Sequence, residues 1–113
     1  MSTPLFTKTF DFVTWALSIT NHFPRNQRFV VTKRLSDAVL NFQEIIIDAN
    51  SVRGRERLKK LIKADAELNK VRLYFRLAHK WKWLTSGQYK HAAYHHTEIG
   101  KLLGAWIKIS KSK

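Results

Sequence analysis

The chain has 113 residues, with 21 Lys and Arg against 8 Asp and Glu, a formal net charge of +13, and no cysteine. Lack of cysteine excludes disulfides, thiolate-bound zinc and cysteine catalysis, and fits a reducing compartment, while seven Phe, four Trp and three Tyr supply too much apolar surface for a disordered chain. The start Met1-Ser2-Thr3-Pro4-Leu5-Phe6 lacks the basic and apolar regions of a signal peptide, and no apolar run reaches membrane-spanning length, so a cytoplasmic protein without membrane association is expected.

Apolar residues recur at spacings of three and four along the whole chain, which predicts an all-α protein. The first helix is expected over about 7–21. It carries one stripe of Phe6, Phe10, Val13 and Leu17 and a second of Phe12, Trp15, Ala16 and Ile19. Asn21, Pro24 and Asn26 mark its end. The second helix is expected over 27–50, with Leu35, Ala38, Val39, Phe42, Ile45, Ile46 and Ala49 inward, and Ser51 to Gly54 form a turn. The third is expected over 55–82, lined by Leu58, Leu61, Ile62, Leu68, Val71, Phe75 and Ala78. Thr85 and Gln88 then have the spacing of a capping box, in which each side chain satisfies a free backbone N–H of the next helix. That fourth helix is expected over 87–109, with Ala92, Ile99, Leu102, Leu103, Trp106 and Ile109 inward and a frayed tail over Ser110–Lys113. Four amphipathic helices with short connections predict one domain over 1–113, an antiparallel up-down four-helix bundle.

A helix in a lone bundle needs one apolar face. The second stripe of the first helix therefore predicts a homo-oligomer interface through Phe12, Trp15 and Ile19, joined by Leu73, Tyr74 and Leu77 of the third helix. The alternative is a first helix buried on both sides within one bundle.

Charge is uneven. Residues 1–52 hold 5 basic and 4 acidic residues, whereas residues 53–113 hold 16 and 4. Lys59, Lys63 and Lys70 share one face of the third helix, Arg72, Arg76 and Lys80 share another, and Arg53, Arg55, Arg57 and Lys60 crowd its start. Lys and Arg at this density neutralise phosphates without reading bases. Tyr74, Trp81 and Trp83 interleave with them and could stack on unpaired bases, although aromatics at helical spacing more often serve core or interface.

Four smaller features bear on structure. Asp65 falls between Ile62 and Leu68, so a buried or half-buried pair with Arg72 is expected. His91 and His95 are four apart beside His96, but no HExxH motif accompanies them, and ordinary polar or interface histidines are expected. Gly100 and Gly104 form a small-xxx-small pair that predicts close helix approach beside Trp106. No phosphate-cradling glycine loop, nucleophile motif or paired carboxylate site occurs, so no enzyme, catalytic residue, metal or cofactor is expected.

Several strings together carry a resemblance. They are Phe23-Pro24-Arg25 with Arg28-Phe29, Ala64-Asp65-Ala66-Glu67-Leu68 leading through Val71-Arg72-Leu73 to Arg76-Leu77-Ala78-His79, and Glu98-Ile99-Gly100-Lys101-Leu102-Leu103-Gly104-Ala105-Trp106-Ile107. In this order the chain resembles the accessory variability determinant (Avd) proteins of diversity-generating retroelements. It is also similar to the four-helix proteins encoded in intervening sequences of bacterial large-subunit ribosomal RNA genes. The resemblance implies a pentameric barrel of four-helix protomers that partners a reverse transcriptase and its template RNA, with DNA as a further candidate ligand, in mutagenic cDNA synthesis. It places Arg72 and Arg76 in a matching string as contacts for partner or nucleic acid. Lys59, Lys63, Lys70, Lys80, Arg55, Arg57 and Lys60 are assigned by charge alone.

Overall fold

The computed structural model describes residues 3–112. Met1, Ser2 and Lys113, the ends of the expected 1–113 domain, lie outside the described residues. Four α-helices follow one another, α1 (Thr3–Ile19), α2 (Val31–Ser51), α3 (Gly54–Lys80) and α4 (Ser86–Lys111), and no strand occurs among the described residues. No helix there is long and apolar enough to cross a membrane.

Each helix boundary has a local cause. α1 starts four residues earlier than expected. Pro4 sits in its first turn, where the missing N–H has no partner to lose. α2 starts four residues later. Gln27, Arg28 and Val30 instead donate to Pro24, Arg25 and Gln27 carbonyls at 3.0–3.1 Å, a run of tight turns. Gly54 opens α3 at φ +62, a left-handed conformation that glycine adopts freely. The expected capping box starts α4: the Gln88 amide donates to Thr85 Oγ1 at 3.1 Å and the Thr85 amide to Gln88 Oε1 at 2.9 Å. α4 continues through the expected fray to Lys111.

The helices pack in chain order around a square, each antiparallel to the next. Asn41 Nδ2 of α2 donates to Glu67 of α3 at 3.1 Å. His79 of α3 stacks on Tyr89 of α4 at 4.4 Å, and Phe6 and Trp15 of α1 meet Trp106 and His91 of α4 at 5.9 and 4.6 Å. α3 buries Leu61, Ala64, Leu68, Val71, Phe75 and Ala78, a three-four alternation, and α4 buries Ala92, His96, Ile99, Leu103 and Trp106 in the same rhythm. That period keeps one seam facing the core along the whole helix. Ile62 and Ile109, expected inward, lie off these seams and are exposed.

The two stripes of α1 resolve differently from expectation. Its buried arc is Leu5, Thr9, Phe12, Val13 and Ala16, which draws on both stripes because α1 packs against α2 and α4 at once. Phe12, expected at an oligomer interface, is core, 5% exposed, and 5.9 Å from the Phe75 ring. Trp15 and Ile19 are half-buried against the same core. So is Tyr74, and Leu77 on the neighbouring turn is half-buried; of the six expected interface residues only Leu73 is exposed.

Candidate nucleic-acid interface

An up-down bundle brings the α1–α2 connection and the α3–α4 turn to one end and the α2–α3 turn with both termini to the other. Charge sorts along this axis. Segments 17–34 and 76–90, which build the first end, contain no Asp or Glu, and they hold Arg25, Arg28, Lys33, Arg34, Arg76, Lys80, Lys82 and Lys90. Of these eight, Lys33 alone has an ion-pair partner, Asp37 at 2.6 Å. The other seven have no ion-pair partner, although Arg34 borders a groove that Asp37 and Glu67 also line, so this end presents concentrated free positive charge.

The nine cations expected from sequence divide by what they touch. Arg55, Lys59, Arg76 and Lys80 are exposed and unpaired. Arg57 is different. Its Nε donates to the Ala49 carbonyl at 2.9 Å, its Nη2 to the Asn50 carbonyl at 3.3 Å, and its guanidinium sits 5.5 Å above the Trp106 ring. It closes the C-terminal end of α2, where carbonyls lack helical partners and favour a cation. Lys60, three residues on, is half-buried. Lys63 and Lys70 line an α2–α3 groove of about 380 Å³ together with Glu44, Asp48 and Glu67. Lys70 pairs with Glu67 at 2.7 Å. Burial works against the Glu67 carboxylate, but hydrogen bonds from Lys70 and Asn41 outweigh it and hold its pKa below the usual value. The three carboxylates of this groove offset the field of Lys63 and Lys70.

Arg72 is also committed. Its Nη1 donates to Asn69 Oδ1 at 2.8 Å and its Nη2 to the His96 carbonyl at 3.4 Å. The expected pair with Asp65 does not form. Asp65 follows Ala64 of the seam, one residue around the helix, and is exposed. The same guanidinium explains Gly100, where an added Cβ would collide with it. Gly104, expected at a close approach, has nothing within 4 Å of a built Cβ. Trp106 is buried and meets Phe6 edge-on.

The histidines hold a packing position. His91 and His95 lie 4.3 Å apart, ring to ring, against Trp15 and Phe12. Burial, then the neighbouring charges of His91 and Lys8, lowers the His95 pKa. His96 occupies a core position of α4, its Nδ1 has no hydrogen-bond partner, and burial first and Arg72 second push its pKa down to about 4.

The bAvd-like family model matches residues 5–110. The chain belongs to the bAvd-like family. Among solved structures, it is similar to a protein of unknown function from the S23 ribosomal protein family of Bacteroides thetaiotaomicron VPI-5482. That match has a TM-score of 0.83 and 24% identity over 92% of this chain and 98% of the other. At that identity the likeness establishes the fold. No curated protein matches.

Sequence reasoning missed Arg25, Arg28, Arg34, Lys82 and Lys90 as members of this end. It weighed charge by halves of the chain, and the first half is nearly neutral. A usable signal existed: two stretches free of carboxylates, each at a helix connection, that an up-down bundle must bring to the same end.

Proposed function

We propose that this bAvd-like chain is a non-catalytic, polynucleotide-binding accessory subunit that serves a reverse transcriptase and its template RNA during mutagenic cDNA synthesis in the cytoplasm. The observation that carries the reading is the acid-free end, with seven cations that have no ion-pair partner. Family membership supports the rest. Free Lys and Arg bind phosphates by releasing counterions, which needs no pocket and no catalytic group.

The reading includes self-assembly, as a pentamer by the Avd resemblance. Phe10, Leu40, Ile47, Ile62, Leu73 and Tyr94 are large apolar side chains that remain exposed on the protomer, and a second copy would cover such area. Leu40 with Ile47, and Ile62 with Leu73, share faces by their spacings of seven and eleven.

Two measurements test this. The tagged protein is expected to co-purify with a reverse transcriptase co-expressed with its template RNA, and to shift that RNA in a gel. Affinity should fall steeply between 50 and 200 mM salt, on the order of 0.7 per phosphate contact in the log-log slope for single strands. RNA binding without polymerase association would favour the second resemblance, a four-helix RNA-binding protein of the ribosomal intervening-sequence type. Light scattering that shows a monomer at micromolar concentration would remove the assembly.

A further inference from the structure

We propose that the acid-free end of the bundle holds single-stranded polynucleotide, with an unpaired base stacked on Trp81 and adjoining phosphates seated by Arg25, Arg28 and Lys82. The inference rests on the polynucleotide-binding reading above and names the place and the form of the ligand.

Three aromatic rings form a short stair at this end. Phe23 is core, 5% exposed. Trp83 packs on it at 5.5 Å, and Trp81 packs on Trp83 at 5.0 Å. Trp81 is the outermost ring and 47% exposed. An exposed indole backed by fixed rings is a platform onto which a base can stack with little ordering of the protein. Bases within a duplex are already stacked on each other, so such a platform selects unpaired ones.

Phosphate has a seat beside the stair. A pocket of about 230 Å³ is lined by Arg25, Arg28, Thr32 and Phe23, so the first ring of the stair forms one wall. Neither arginine has an ion-pair partner, and the Thr32 hydroxyl on the same wall is shielded from solvent and unpartnered. Lys33 is the only cation of this end held by a carboxylate.

The backbone at Lys82 adds an independent observation. The Trp83 amide donates to the Ala78 carbonyl at 2.8 Å and the Lys82 amide to the His79 carbonyl at 3.0 Å, which closes α3 in a Schellman motif. Its left-handed residue is Lys82, at φ 63, where glycine is the usual and unstrained occupant. A lysine held there against its own preference, between Trp81 and Trp83, is accounted for by a charge that has work at that point. A second copy docked through this same end is a poor occupant, because it would bring the same unpaired cations against these.

The test uses the intact protein and a labelled oligouridylate octamer, with an abasic octamer of the same backbone as control. The wild type should bind the uridylate more tightly and show quenched tryptophan emission. Trp81→Ala should weaken uridylate binding about ten-fold, abolish the quench and leave the abasic control unchanged, and Trp81→Phe should restore the affinity but not the quench. Arg25→Ala with Arg28→Ala should lower the salt slope by roughly 0.7 for each lost phosphate contact. Lys82→Gly should raise Tm by a few degrees yet weaken binding, a combination that a purely structural turn would not produce. Trp81→Ala that stays folded by circular dichroism and binds both octamers like the wild type overturns the proposal. Polyglutamate displacing uridylate at equal charge also overturns it. A wild type that binds the template RNA but neither octamer sinks this site alone; one that binds no RNA at all sinks the broader reading with it.

Discussion

The two ends of the bundle are both basic and both carry unpaired cations, Arg55 and Lys59 among them at the α2–α3 end, but only that end ties one of its arginines into the fold. At the end that carries the α2–α3 turn, Arg57 is tied to two carbonyls of α2 and laid over Trp106, which in turn meets Phe6. Asp48 and Glu56 stand in the same stretch of sequence. At the other end Arg25, Arg28, Lys80 and Lys82 are tied to nothing, and no carboxylate accompanies them. A cation bonded to backbone stabilises the fold and has little field left for a partner. A free cation adds nothing to the fold and keeps its field. Counting Lys and Arg along a chain cannot separate the two.

The contrast should be largest between the tryptophans. Trp106→Ala removes a buried ring, its edge contact with Phe6 and the surface beneath Arg57, and is expected to cost about 3–4 kcal/mol by urea unfolding. Trp81→Ala at the opposite end, half exposed, should cost less than about 1 kcal/mol. Equal losses would mean that both ends are built the same way.

Next come the arginines. Arg57→Ala leaves two carbonyls of α2 without their charged donor and uncovers Trp106, for about 2 kcal/mol. Arg28→Ala should change stability by no more than about 0.5 kcal/mol. For RNA affinity the order should reverse, with the Arg28 change the more damaging. A stable Arg57→Ala protein that has lost RNA would return Arg57 to the binding surface.

Between the ends, His96 supplies a pH-dependent step. The folded protein keeps it neutral down to about pH 4, whereas an unfolded histidine takes up its proton near pH 6.5. Stability from this group is therefore whole above pH 6.5 and is lost as the pH falls from 6.5 towards 4. The loss should be about 1–2 kcal/mol over that window, less than full burial would give. Comparison with His96→Leu isolates it from the carboxylates, which titrate nearby. Parallel pH profiles for the two proteins would remove His96 as the cause.

Much of the bundle could be read from the chain because apolar spacing is a local signal. The α3 seam, the α4 seam and the Thr85–Gln88 cap are fixed by residues within a few positions of each other. What depended on distant partners could not be read. Phe12 looked superfluous until α1 was seen to face two helices. Asp65 and Arg72 are spaced to pair, but Asn69 and the His96 carbonyl hold the guanidinium instead. The acid-free end joins residues more than fifty positions apart, so a tally by halves hid it.

The smallest effect concerns the glycines of α4. Gly100 lies under Arg72, so Gly100→Ala pushes the flexible end of that side chain off the His96 carbonyl, a loss that offsets the helical gain of alanine and should leave stability within about 0.5 kcal/mol. Gly104 is one turn further along, with open space where a Cβ would stand. Gly104→Ala should therefore gain about 0.5–1 kcal/mol, the usual benefit of removing glycine from a helix interior. If Gly104→Ala instead lowers Tm in a way that deepens with protein concentration, the open space is filled by another copy. The end fastened through Arg57 and Trp106 would then be where protomers meet, leaving the acid-free end for the ligand.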